Sequence, residues 1–223
     1  MSLTSTSAPS TRLRWPEAWQ NTGFRLRLLA VVGLLLGLVM WLPHFFAFIQ
    51  ARPGTMLPDP LLAMLPVLDV SWPIFIIIYL SVATSLAYVL PRPLVLLQLL
   101  GAYWLMHVVR VGLLLLLPLE PPAGLLPLRD PVIDTFIYVA AGPITKDLFF
   151  SGHTATVLLL ALAVAPGPRR RWLLAATAAV GLLVLIQRVH YTYDVAAAPI
   201  FALGCYWLAG RLTRLGLDNN NSS

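Results

Sequence analysis

Six apolar stretches, roughly residues 28–50, 72–90, 94–118, 148–166, 171–188 and 191–210, dominate the chain. A bilayer core about 30 Å thick takes around 20 helical residues at about 1.5 Å each. Each stretch is near that length, which predicts an all-α polytopic membrane protein with six transmembrane helices. One domain over 24–215 holds them, between an N-terminal segment (1–23) and a tail (216–223). A soluble core does not need this much apolar material: 59 % of residues are hydrophobic and 11 % charged, against roughly 25 % charged in ordinary soluble domains. Pro43, Pro73 and Pro199 fall inside or at the edge of spans, which membrane helices tolerate when neighbours satisfy the freed carbonyls.

Residues 1–11 are rich in Ser and Thr and read as disordered. The stretch RLRWPEAWQNTGFRLR behind them is basic, carries tryptophan and suits a membrane interface; it lacks the cleavage signature of a signal peptide. Two connections, 51–71 and 119–147, are long and rich in Pro, Gly and acids; the others are short.

The net charge of +6 does not form a basic patch interleaved with aromatics, so nucleic acid is not expected as a partner. The basic residues mark topology instead. With six spans, ten arginines, including Arg25, Arg27, Arg92 and Arg169 to Arg171, fall on one side, and Arg52, Arg129, Lys146 and Arg188 on the other. Both termini are then cytoplasmic. Seven of the nine acids lie at the external face. Fourteen arginines against one lysine fit a GC-rich genome and hence a bacterial inner membrane. Cys205 is the only cysteine and sits in an apolar run, leaving no thiol-based metal site.

Against this background DLFFSGHTATV (147–157) stands out, because polar atoms at the start of an apolar helix are costly unless satisfied or used. On the six-span topology SGH opens the fourth span at its external end, and RVHYTYDV (188–195) joins the fifth to the sixth on the same face. His153, His190 and Asp194 thereby converge. His190 and Asp194 are four apart and share a face if helical; a carboxylate beside an imidazole fixes its tautomer. Ser151 and Gly152 can offer a hydroxyl and backbone N–H groups to an anion at a helix N-terminus. One histidine attacking phosphorus while the other handles the leaving-group proton would make a phosphoryl-transfer site. The plain alternative is a pair of interfacial histidines hydrogen-bonded to loops.

These blocks resemble the last two signature blocks of the sphingomyelin synthase family, approximately GDxxFSGHT and HYTxDV. That family is a branch of the lipid phosphatase and phosphotransferase (PAP2) superfamily. MLPDPLLAMLP (56–66) resembles its PLPD block, and Arg110 with LLPLEPP (116–122) its Arg…LPxP block, so the likeness runs over roughly 50–200. It implies a nucleophilic His190 oriented by Asp194, with His153 as general acid and then base. Asp147 matches an acidic position near that site; its alternative role is to complement the helix dipole. Lys146 stands where the family often has glycine, Met56 where it has proline, and Glu120 splits the LPxP.

The superfamily's phosphatases resemble one another in a KxxxxxxRP block and an arginine six residues before the nucleophile. Here no RP follows Lys146 at that distance and the second position is Val184, which disfavours the phosphatase branch. Arg110, Arg129, Lys146 and Arg188 are the cations available to a phosphate, and Tyr191 a further substrate contact. Arg110 lies within a span and most needs a partner such as Glu120, Asp147 or substrate. Phe149, Phe150, Tyr191 and Tyr193 could form an aromatic wall for a quaternary ammonium or serve as interfacial packing. His107 reads as a packed or pore-facing residue and His44 as part of an interfacial belt with Phe45, Phe46 and Phe48.

The resemblance implies transfer of a phospho-headgroup from a glycerophospholipid donor to ceramide or a diacylglycerol-type acceptor, without metal or cofactor. A hydrolase using water as acceptor is the alternative. Headgroup and oligomeric state are left open.

Overall fold

The computed structural model describes residues 14–130 and 144–218. The N-terminal residues 1–13 with Arg12, Asp134 and the end of the tail (219–223) lie outside them. Eight helices carry the described chain: α1 (Trp15–Gln20), α2 (Thr22–Ala51), α3 (Pro60–Ala63), α4 (Ser71–Val89), α5 (Pro93–Leu116), α6 (Gly152–Ala163), α7 (Pro168–Ile186) and α8 (Thr192–Asp218). The all-α expectation holds. Four helices are long and apolar enough to cross a membrane: α2, α4, α5 and the Thr192–Thr213 part of α8.

The fourth and fifth expected spans differ from the sequence expectation. Helix α6 has only 12 residues, about 18 Å at 1.5 Å per residue. It stops where Pro166, Gly167 and Pro168 follow, since proline donates no backbone hydrogen bond. It starts late because the segment 144–151 runs into the bundle as non-helical chain. Helix α7 opens with Arg169, Arg170 and Arg171 in its first turn, which shortens its apolar part.

Helix α6 is nonetheless the centre of the bundle, packing against α4, α5, α7 and α8. Leu158, Leu159, Leu160 and Ala161 are buried on it, and Met106, Ala198, Ala202 and Cys205 join the same core. Irregular backbone at such depth is tolerated when protein rather than lipid surrounds it. The outward faces of α2, α4 and α8 are apolar, with Met40, Leu80 and Ile200 exposed, as lipid-facing helices require.

The two ends of the bundle differ in chemistry. At one end, the Trp15 indole N–H donates to the Leu90 carbonyl at 2.7 Å. Close by, the guanidiniums of Arg92 and Arg169 lie 3.8 and 5.7 Å from the Tyr88 ring centre. At the other end the long connections are stitched together. Thr55 and Leu119 form an isolated parallel bridge, packed so closely that a Cβ on Gly54 would stand 2.6 Å from the Leu119 carbonyl carbon. Gln187, fully buried at the end of α7, donates to Ser71 Oγ at 2.6 Å and accepts from the Val70 N–H at 3.1 Å. Its main-chain carbonyl accepts from Leu126 at 3.1 Å.

Leucine at position 187 would strand the Val70 N–H, and an unsatisfied buried polar group costs about 1–3 kcal/mol. Gln187→Leu is therefore expected to lower the thermal unfolding midpoint of the purified protein while Gln187→Glu, which keeps the acceptor, lowers it less. Equal midpoints for wild type and Gln187→Leu would show that this hub contributes nothing to stability.

Candidate active site

The site forms where α6 and α8 begin, at the end of the bundle that holds the long connections. Asp194 lies in the first turn of α8 and is completely buried. Its Oδ2 accepts from the Tyr191 N–H at 2.9 Å and contacts His190 Nδ1 at 3.2 Å. The pair meets, but not as two residues on one helical face: His190 precedes α8, and the turn 190–194 brings its ring back onto Asp194. Because Nδ1 faces a carboxylate, it carries the proton and Nε2 keeps the lone pair.

The Asp194 main-chain carbonyl accepts from the Ser151 N–H at 3.2 Å, joining the start of α8 to the start of α6. Ser151 is the N-cap of α6: its hydroxyl lies 3.4 Å from the Thr154 N–H and 3.0 Å from Thr154 Oγ1. It is fully buried, so its first task here is capping. His153 follows in the first turn of α6. Its ring centre is 6.1 Å from that of His190 at an interplanar angle of 64°, with Phe75 edge-on at 6.1 Å on another side. His153 Nδ1 and Asp194 Oδ1 are buried with no hydrogen-bond partner among the described residues.

Arg110, 7 % exposed on α5, reaches the same place. Its Nε donates to the Phe150 carbonyl at 3.0 Å, and its terminal nitrogen pairs with Asp147 Oδ1 at 2.7 Å. The guanidinium lies against Gly152, where an added Cβ would stand 2.7 Å from Arg110 Cζ. Gly152 is thus required by close approach of a cation. Asp147 is the partner of Arg110, and Glu120 is not: its Oε1 takes Lys146 Nζ at 2.7 Å and the Gly54 N–H at 2.9 Å. Lys146 also donates to the Arg52 carbonyl at 2.5 Å. Arg188 sits at φ +60° and donates to the Leu65 carbonyl at 3.1 Å. Its Nε is buried with no hydrogen-bond partner among the described residues. Arg129, by contrast, lies beside Ser71.

In the comparisons, residues 146–211 match the family model described as PAP2 superfamily C-terminal, less than a third of the chain. The matched segment includes both histidines, Asp194, Asp147 and the SG dipeptide. It supports the superfamily of phosphatases and phosphotransferases and does not reach the sphingomyelin synthase branch. No curated protein and no solved structure matches the chain.

The four aromatics do not line one wall. Phe150 is fully buried and stacks on Phe201 at 4.4 Å, while Phe149 meets Phe201 edge-on. The Tyr191 hydroxyl donates to the Glu120 carbonyl at 2.9 Å and accepts from the Leu57 N–H at 3.1 Å. Tyr193 is half exposed and donates to the Pro58 carbonyl at 3.2 Å. His107 turns its Nδ1 to the Tyr103 carbonyl at 2.9 Å, and Cys205 is buried as expected.

One residue that sequence reasoning missed is Asp59. Its Oδ1 caps α3 through the Leu62 N–H at 3.0 Å, and its Oδ2 accepts from the Thr192 N–H at 2.6 Å. It sits in the PLPD-like block, and an acid directly before proline and an apolar pair is an N-cap signal. With Arg188, Tyr191 and Tyr193 it ties the 55–65 loop to the segment that carries His190. Burial raises the Asp59 pKa, but hydrogen bonds from Leu62 and Thr192 outweigh it and hold the carboxyl below 3.8. The Lys146 hydrogen bond likewise holds Glu120 below its ordinary 4.5, against the desolvation that raises it.

Both depressed values stabilise these loop ties above the unfolded pKa values and lose that contribution as pH falls through the folded ones. Amides of 55–62 and 191–193 should therefore lose protection, measured against the intrinsic exchange rate at each pH, below about pH 4, and Asp59→Asn should show lower protection already at neutral pH. Unchanged protection in Asp59→Asn would show that the loop is held without it. Separately, Gly152→Ala must displace the guanidinium, so it should lose far more activity than Gly33→Ala, where no atom lies within 4 Å of the added carbon.

Proposed function

We propose that this protein is an integral membrane phosphotransferase that moves a phospho-headgroup from a glycerophospholipid to a lipid hydroxyl, ceramide by sequence resemblance. The observation that carries the reading is the buried His190–Asp194 contact, 3.2 Å, with the His153 ring 6.1 Å away. The superfamily match over the same residues supports it.

In this reading His190 Nε2 attacks phosphorus. A P–N bond forms, the P–O bond to the diacylglycerol oxygen breaks, and protonated His153 gives its proton to that oxygen. The acceptor hydroxyl then passes its proton to His153 while its oxygen attacks phosphorus and the P–N bond breaks. Asp194 fixes the His190 tautomer and stabilises the phosphorylated ring. Arg188, two residues before His190, is the cation proposed for the donor phosphate: no carboxylate pairs with it among the described residues, and its buried Nε has no acceptor there. Six membrane crossings with cytoplasmic termini would set the site at the external leaflet of a bacterial inner membrane. Two lipid substrates could then meet without leaving the bilayer.

Water as acceptor would give a lipid phosphate hydrolase by the same steps, and the superfamily match embraces both outcomes. The deciding test is lipid mass spectrometry of purified protein given a panel of phospholipid donors, with and without ceramide. The transferase reading expects a phospho-ceramide product and diacylglycerol in equal amounts. Water-soluble phospho-headgroup, unchanged by ceramide, would establish hydrolysis instead. His153→Ala should lower turnover about 10²–10⁴-fold, and His190→Ala should abolish the phosphoprotein trapped with labelled donor. Wild-type turnover by His190→Ala would overturn the mechanism.

A further inference from the structure

A cavity borders the site without including its histidines. It encloses about 200 Å³ between α2 and α5, with an apolar wall of Leu42, Phe45, Phe46 and Leu114. Its polar end is made by Arg110, Asp147 and His107. Such a cavity favours an amphiphile, and the charge balance of its polar end selects which kind.

Arg110 is already neutralised by Asp147 at 2.7 Å. A phosphate entering here would approach the carboxylate as well as the cation, and like charges in a partly dry site repel strongly. A hydroxyl meets no such penalty. It can donate to the Asp147 carboxylate, which lines the cavity and whose side chain is 23 % exposed. It can also accept from the guanidinium or donate to His107. The His107 Nδ1 faces the Tyr103 carbonyl at 2.9 Å and must donate to it, which leaves Nε2 as an acceptor. The volume is below the roughly 300–1,000 Å³ of pockets that enclose a drug-sized ligand whole. Only the hydroxyl-bearing end of a lipid fits inside, with the rest along the membrane-facing side of α2 and α5.

We infer that the α2–α5 cavity is a binding site for a neutral, hydroxyl-bearing lipid, held by Asp147, Arg110 and His107 beside the His153–His190 pair. Its use in a reaction rests on the transferase reading, in which that lipid is the alcohol acceptor or the diacylglycerol product. Binding itself does not depend on turnover. Arg110 touches both the cavity and Gly152, one residue before His153, so an alcohol seated here waits next to the reacting groups.

Full-length His190→Ala protein in dodecyl maltoside micelles, with its thermal midpoint checked against wild type, would be photolabelled with a diacylglycerol carrying a diazirine on the acyl carbons next to the glycerol ester, the part that lies at the cavity. A parallel arm uses the equivalent ceramide probe. Labelled peptides should fall in 42–46 and 111–114. Excess unlabelled diacylglycerol or ceramide should displace the probe at least tenfold better than phosphatidic acid. Val111 and Leu42 both line the cavity, so Val111→Trp or Leu42→Trp should fill it and cut labelling at least fivefold, and whichever of the two folds suffices. The stronger probe identifies acceptor-type or product-type alcohol. Labelling outside these helices, equal displacement by phosphatidic acid, or labelling that survives a filled cavity overturns the inference. Transfer to ceramide without labelling here defeats the inference alone, whereas labelling here without transfer from any donor defeats only the transferase reading.

Discussion

A guanidinium inside an apolar helix bundle must be satisfied by protein, and Arg110 meets that requirement in a way that shapes everything around it. It draws the Phe150 carbonyl and Asp147 to α5, which holds that part of the 144–151 segment inside the bundle as non-helical chain. Helix α6 can then start only at Gly152, the one residue type that lets the cation lie against the backbone. A shortened central helix follows from this, and so does the depth at which His153 stands.

Asp194 does the corresponding work on α8. One carboxylate oxygen accepts from the Tyr191 N–H and faces the His190 ring, and its carbonyl accepts from the Ser151 N–H. The two helix starts are thereby bound to each other, and the two histidines inherit their separation from main-chain bonds instead of from contacts of their own. Around this pair the 55–65 and 118–120 loops close through Tyr191, Asp59, Glu120 and Lys146. The Tyr191 and Asp59 ties join loops to residues within two positions of His190, and the Lys146 tie fastens the segment that leads to Asp147. Hydrogen bonds are dense at this end of the bundle, whereas the helices elsewhere pack mainly through apolar side chains with a few polar ties such as Trp15 to Leu90.

Much of this was legible in the chain, for identifiable reasons. Apolar length marked α2, α4, α5 and α8, because some 20 apolar residues in a row match the thickness of a bilayer core and exceed what a soluble core buries. Polar residues at the start of an apolar run marked His153 and its capping serine. Length failed for α6, since its boundary is set by Arg110, some forty residues earlier, and no local signal carries that contact. Periodicity failed for His190, which meets Asp194 through a turn that a four-residue spacing cannot distinguish from a helix. From the chain alone the partner of Arg110 stays open between Asp147, Glu120 and substrate, because the choice depends on where Lys146 lies. Aromatic residues near the motif suggested a headgroup wall, yet Phe150 and Tyr191 are spent on packing and loop fastening. Composition does not distinguish an aromatic that recognises from one that supports.

The placement of charge gives the site its asymmetry. Lys146 and Arg110 are each matched to a carboxylate, so neither offers a bare positive field to an incoming phosphate. Arg188 has no such match among the described residues and lies on the His190 side, tied to the Leu65 carbonyl. A zwitterionic pair beside an apolar cavity attracts dipoles and hydroxyls, while an unmatched guanidinium attracts anions. The first environment reaches Gly152 through Arg110, and the second lies two residues before His190. If lipids react here, this arrangement sorts an anionic donor from a neutral alcohol before any bond is made.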